Sequence, residues 1–132
     1  MMGLMQTLLA KVPLDQIREG DIFAGNDPYA AGGSHLPDVN LAMPVFVGGE
    51  LLCFVCNIAH HADIGGMAPG SMAGGMTEIY QEGLRIPPVR LYRGGKLQQD
   101  VMDLILLNMQ VPRERLNDFR AQMAANRQGI QR

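Results

Sequence analysis

Val39-Asn40-Leu41-Ala42-Met43-Pro44-Val45-Phe46-Val47 and Leu51-Leu52-Cys53-Phe54-Val55-Cys56-Asn57-Ile58-Ala59 are two apolar, partly β-branched runs separated by Gly48-Gly49-Glu50. Gly-Gly between such runs signals a two-residue hairpin, because a type I′ turn needs positive φ at both central positions. With Gly48-Gly49 as the loop, Val47 pairs with Glu50. The same count puts Pro37 opposite His60 and Asp38 opposite Ala59, with His35 two residues further along. The segments His35-Leu36-Pro37-Asp38 and His60-His61-Ala62-Asp63 thereby meet at the open end of one hairpin.

That meeting concentrates chemistry. All three histidines of the chain fall between positions 35 and 61. Neutral imidazole plus carboxylate is a common ligand set for catalytic Zn, Mn or Fe, and His also suits proton transfer near neutral pH. Strict strand alternation places His35 with His60 on one face and Asp38 with His61 on the other. Pro37 cannot donate to a ladder, however, so positions 32–38 read as a loop. A three-residue step in a turn then lets His35 and Asp38 converge. The resulting candidate metal triad is His35, Asp38 and His60, with open positions of the kind a catalytic ion keeps. The ordinary alternative is a set of surface or hydrogen-bonding histidines.

Directly after the second His cluster runs Gly65-Gly66-Met67-Ala68-Pro69-Gly70-Ser71-Met72-Ala73-Gly74-Gly75-Met76. It has no usable periodicity. Either it is a flexible surface loop, or it lines the site, with Gly permitting close approach and Met an adaptable wall. Glu78 and Glu82 lie at its far end and are candidates to reach the site, although such carboxylates are usually solvated. Asn26-Asp27-Pro28-Tyr29 is a turn signal in which Asp27 caps backbone amides.

The remaining pattern predicts an α+β fold, a hairpin-based antiparallel sheet with helices at both termini. Leu4 to Val12 reads as a short helix ended by Pro13, Asp21 to Ala24 as a strand, and Met76 to Gln81 as a helical turn. A strand at Val89 to Tyr92 and a turn at Arg93-Gly94-Gly95-Lys96 follow. Leu97 to Met109 is a helix candidate. Pro112 opens a final helix to about Asn126, whose Leu116, Phe119 and Met123 recur at helical spacing. Its charged face (Arg113, Glu114, Arg120, Arg127) reads as solvated.

Length bounds the chain to one domain, residues 1–132. A net charge of −2 leaves no footprint for nucleic acid or an anionic membrane. No apolar run reaches a membrane span and no signal-peptide pattern is seen, so the cytoplasm is the expected compartment. Cys53 and Cys56 form a lone CxxC whose strand spacing points the thiols to opposite faces. They read as buried core thiols in a reducing compartment. There is no GxxxxGK[ST] phosphate loop.

The runs Gly20-Asp21-Ile22-Phe23, Asn26-Asp27-Pro28-Tyr29, Gly32-Gly33-Ser34-His35-Leu36-Pro37-Asp38, Ala59-His60-His61-Ala62-Asp63-Ile64-Gly65-Gly66-Met67-Ala68-Pro69-Gly70-Ser71 and Glu78-Ile79-Tyr80-Gln81-Glu82-Gly83-Leu84-Arg85-Ile86-Pro87-Pro88 together resemble the hydantoinase B family. That family includes N-methylhydantoinase B subunits, the matching half of 5-oxoprolinases and the α subunit of acetone carboxylase. The resemblance extends to Arg120-Ala121-Gln122 and Ala125-Asn126-Arg127 and covers nearly the whole chain. It implies an ATP-dependent enzyme of two subunit types, expected to be oligomeric. An A-type partner binds ATP and phosphorylates an amide or enolate oxygen. The B-type subunit holds a divalent metal (Zn, Mn or Fe) and completes hydrolysis of a cyclic amide or, alternatively, carboxylation of a ketone. A His-x-x-Asp pair and a later His hold the metal in the acetone enzyme, which maps onto His35, Asp38 and His60; the choice of His60 over His61 leans partly on this. His61 and Asp63 are the candidate catalytic groups, as orienting or proton-transfer residues, against an ordinary structural role. The departure is length. Family members are several times longer, so the expectation is a fragment-length chain, and a non-catalytic remnant is the rival reading.

Overall fold

Gly48 and Gly49 adopt the positive φ that the hairpin demands, 60° and 88°, and join β2 (Asp38–Val47) to β3 (Glu50–His60). The computed structural model describes residues 2–131. Around this hairpin are α1 (Met2–Lys11), β1 (Ile22–Gly25), β4 (Val89–Arg93), β5 (Lys96–Leu97), α2 (Gln99–Leu107) and α3 (Pro112–Gln131). The strands form one five-stranded sheet in the order β3-β2-β1-β4-β5, with every pairing antiparallel. This is the α+β architecture expected, with helices at both ends of the chain.

The two faces of the sheet are covered differently. Val39, Leu41, Met43 and Leu91 join Met102 and Ile105 of α2 and Phe119 and Met123 of α3 in the larger core. On the other face, Phe23 and Ala42 pack with Leu4 and Leu8 of α1, with Phe46, Leu51, Phe54 and Cys56 alongside. Alternation along β2 sends Val39 and Leu41 to one layer and Ala42 to the other, as a half-and-half strand requires. The last helix runs five residues beyond the expected end at Asn126, to Gln131, because nothing in Arg127-Gln128-Gly129-Ile130 stops it. The helix expected from Leu97 begins at Gln99, because Lys96 and Leu97 pair with β4 instead.

Two sequence readings are corrected here. The hairpin register holds at Val47↔Glu50 and Phe46↔Leu51, but Val45 then pairs with Cys53, so Leu52 is an extra residue in β3. This β-bulge shifts every later pair by one. Asp38 faces His60 rather than Ala59. The cysteines are also not buried core thiols: Cys53 is exposed and Cys56 half-buried, because β3 is the edge strand. Burial still pushes the Cys56 thiol pKa up, and its Sγ sits 3.6 Å from Met5 Sδ of α1.

Candidate functional site

The bulge decides the site. Directly paired residues of an antiparallel ladder project to the same side, so Asp38 and His60 now share a face. His35 reaches them from the preceding turn, where its carbonyl accepts the Asp38 N–H at 3.3 Å. His35 Nε2 lies 3.3 Å from Asp38 Oδ2. The His35 and His60 rings are 5.0 Å apart between centroids and tilted by 55°. Thus the three residues singled out as a metal triad are neighbours, and strict alternation, which would have split them, does not operate.

The donor set fits a divalent ion in part. Ligands each about 2.1 Å from an ion at a tetrahedral angle stand roughly 3.4 Å apart, and the His35–Asp38 contact has that spacing. The second ring nitrogen, His35 Nδ1, is buried without a hydrogen-bond partner. Among the described residues, no three His, Cys, Asp or Glu side chains stand together so as to hold a metal ion. His60 is exposed at the end of β3, with its ring beside that of His35.

The turn carrying His35 is held by a residue that the sequence reading treated only as a turn signal. Buried Asn26, just after β1, donates through Nδ2 to Leu36 O (2.8 Å) and Leu84 O (2.9 Å), and its Oδ1 accepts from Ile86 N–H (2.6 Å). One amide therefore ties the His35 turn to the segment following Glu82. Asp27 does cap a backbone amide, that of Tyr29. It also accepts from Arg85 Nη2 through both oxygens, at 3.2 and 3.0 Å. That pairing raises the Arg85 pKa further above its ordinary value. The Tyr29 and Tyr80 rings lie 5.6 and 5.4 Å from the guanidinium carbon.

The Gly/Met segment is a wall of the site. A cleft of about 500 Å³ is lined by His35, Ser71, Met72, Ala73, Gly74, Met76 and Glu82. Glu82 thus reaches the cleft from the loop's far end. Glu78 instead lines a neighbouring cavity with Tyr29 and Ser34 and caps the single helical turn Ile79–Gln81. Ser71 was not foreseen. It is buried with φ 57°, a left-handed value uncommon outside Gly. Its hydroxyl accepts from Ile64 N–H at 2.8 Å and donates to Gly65 O at 2.7 Å, which pins the loop.

Of the candidate metal and catalytic residues only His35 lines this cleft; Asp38, His60, His61 and Asp63 do not. Buried His61 points at α3, where its ring meets Phe119 edge-on at 4.7 Å and its Nε2 lies 2.8 Å from Gln122 Oε1. Gln122 spends its amide N–H groups on Val39 O and Asn57 Oδ1. Its oxygen is therefore the acceptor, and His61 Nε2 carries the proton. Asp63 accepts backbone N–H groups from Gly65 (3.1 Å), Gly70 (3.3 Å) and Gln110 (2.7 Å). Both residues hold structure around the site.

Burial lowers the His61 pKa below its ordinary value, outweighing the raising effect of the Gln122 hydrogen bond. The unfolded chain then binds more protons than the native state below about pH 6.5, so stability falls as pH drops through that range. Urea unfolding at pH 7.5 and 5.5 is expected to show a larger loss for wild type than for His61→Gln. An equal loss in both would exclude His61 as the source.

A family model described as Hydantoinase B/oxoprolinase matches residues 1–132. The chain belongs to the hydantoinase B/oxoprolinase family. Within that family it is 43% identical over 111 residues to the caprolactamase subunit beta of Pseudomonas jessenii, covering 84% of this chain and 19% of that subunit. The crystal structure of the ATP-dependent caprolactamase from Pseudomonas jessenii superposes with a TM-score of 0.90 at 38% identity, covering 98% of this chain and 22% of that one. The 5-oxoprolinase of Dictyostelium discoideum is 39% identical over 114 residues, 86% of this chain and 9% of the relative. A nucleotide-free acetone carboxylase structure matches with a TM-score of 0.84 at 25% identity, over 98% of this chain and 16% of that one. This hydantoinase B/oxoprolinase chain therefore spans less than a quarter of each relative. Among its described residues no helix is long and apolar enough to cross a membrane.

Proposed function

We propose that this chain is the metal-holding part of a B-type subunit of an ATP-dependent enzyme that hydrolyses cyclic amides, acting in the cytoplasm with an ATP-binding A-type partner. The observation that carries this reading is the proximity of His35, Asp38 and His60, of which His35 also lines a cleft. Support for the reaction class comes from the caprolactamase and 5-oxoprolinase relatives, and for a partner from the name of the former as a beta subunit. A divalent Zn, Mn or Fe ion, when bound, polarises the amide carbonyl or lowers the pKa of a bound water. The chain's residues supply the rest. Two neutral imidazoles and one carboxylate leave positions open for substrate and water. Met72, Ala73 and Met76 narrow the cleft with apolar surface. His61 and Asp63 act as positioning residues, the first anchoring the end of β3 on α3 and the second shaping the loop.

The acetone carboxylase match favours a second reading, in which the same three residues serve ketone carboxylation. Both readings need a metal, and the non-catalytic remnant does not. Metal content by mass spectrometry is expected to be near-stoichiometric for the wild-type chain after loading with Zn or Mn, and to be lost in His60→Ala and His35→Ala with the fold retained. No uptake by the wild type, or unchanged uptake in both variants, would overturn the triad.

A further inference from the structure

We infer that a second cleft, between the end of α1, β4 and the start of α2, binds a phosphate monoester carried on an apolar body. Its volume is about 410 Å³, and it shares no lining residue with the cleft of His35. Lys11, Arg90 and Arg93 line it, beside Val12, Phe23 and Val101. No Asp or Glu among the described residues does. The chain as a whole carries a net charge of −2, so this gathering of cations runs against its overall balance.

Two of the cations are held in place by their charged groups. The Arg90 guanidinium stands 3.4 Å from Asp21 Oδ2, donates through Nη2 to Gln16 O at 3.1 Å and lies 5.0 Å over the Phe23 ring. Lys11 Nζ donates to Pro88 O at 3.2 Å, which leaves two of its three N–H groups for a ligand. Arg93 is exposed and belongs to none of the ion pairs among the described residues. Asp21 is fully buried and also accepts the Arg18 and Gly94 N–H groups. It balances one of the three cations, so two positive charges are left over in a cleft with a buried, apolar Phe23 in its wall.

That surplus selects the ligand class. A phosphate monoester carries about −1.5 to −2 charges near pH 7, whereas a simple carboxylate carries one. A guanidinium fork can take two phosphate oxygens at once. A cleft lined by one sign of charge over low-dielectric walls also concentrates such an anion. Val12, Phe23 and Val101 offer apolar surface to the organic group of the ester, in a space of the size that small-molecule sites have.

The test is NMR titration of the 132-residue chain at fixed ionic strength with phenyl phosphate, benzoate, inorganic phosphate and phenol. Wild type is expected to bind phenyl phosphate saturably, with amide shifts around Lys11, Phe23, Arg90 and Val101, and at least about tenfold more tightly than the other three probes. Arg93→Ala breaks no ion pair of the folded chain, so it is expected to keep the wild-type melting temperature while weakening phenyl phosphate at least about tenfold. Lys11→Gln is a second variant expected to weaken binding. Absence of saturable binding, shifts confined to the residues around His35, an affinity for benzoate or inorganic phosphate equal to that for phenyl phosphate, or unchanged affinity in both variants would each overturn the assignment.

Discussion

Asp63→Ala is expected to lower the unfolding free energy by about 3–5 kcal/mol, the largest loss from any single polar side chain near the site. The buried carboxylate accepts three backbone N–H groups, from Gly65, Gly70 and Gln110. Gly65 and Gly70 belong to the loop that walls the cleft, whereas Gln110 lies between α2 and α3. One side chain thus staples the loop to the helical layer. Alanine leaves these amides without their charged acceptor in a place that water reaches poorly. Asp63→Asn keeps the shape, weakens the acceptor and should fall between the two. Urea denaturation gives the loss, and amide exchange should show positions 65–76 opening first. A variant as stable as wild type would mean that Asp63 is not structural and would return it to the candidates for proton transfer.

Gly66→Ala is the second large effect. Gly66 has a φ of 93°, where an L-residue pays about 1–2 kcal/mol. A Cβ added there would also stand 2.5 Å from Gln81 O and 2.6 Å from Glu82 C and O. These are backbone atoms pinned by hydrogen bonds on both sides, so they cannot yield as the tip of a long side chain would. Together the two terms predict a loss of about 3 kcal/mol or more. Gly74→Ala is the matched control: nothing lies within 4 Å of its Cβ position, and a change within about 0.5 kcal/mol is expected. Comparable melting temperatures for the two variants would show that the Gly66 contact is not a constraint.

The candidate site was legible where its determinants are local. Gly48-Gly49 demands a turn of one kind, and apolar runs of similar length on both sides leave little choice but a hairpin. His35 and Asp38 are three apart in a turn, so their meeting needs nothing from the rest of the chain. The bulge at Leu52 was not legible. No Gly or Pro marks it, and Leu51-Leu52 reads as ordinary strand. Yet this one residue moves Asp38 from Ala59 to His60 and sets which histidine stands opposite it. Asn26 and Gln122 were missed for a related reason. Each is a polar residue in a segment that reads as turn or helix, and each matters through partners between 10 and 83 positions away in the chain.

By itself the sequence determined the hairpin, the amphipathic final helix, the α+β class and the concentration of imidazole and carboxylate at one end of a strand pair. These follow from turn stereochemistry and from side-chain periodicity, which act over a few residues. Only the tertiary structure decided which way neighbouring groups face. His60 and His61 are adjacent, yet one is exposed beside Asp38 and the other is buried on Phe119. Cys53 and Cys56 lie on an edge strand that a core reading had hidden. Register, bulges and the covering of an edge are set by the summed packing of whole layers, and no short window of sequence contains that sum.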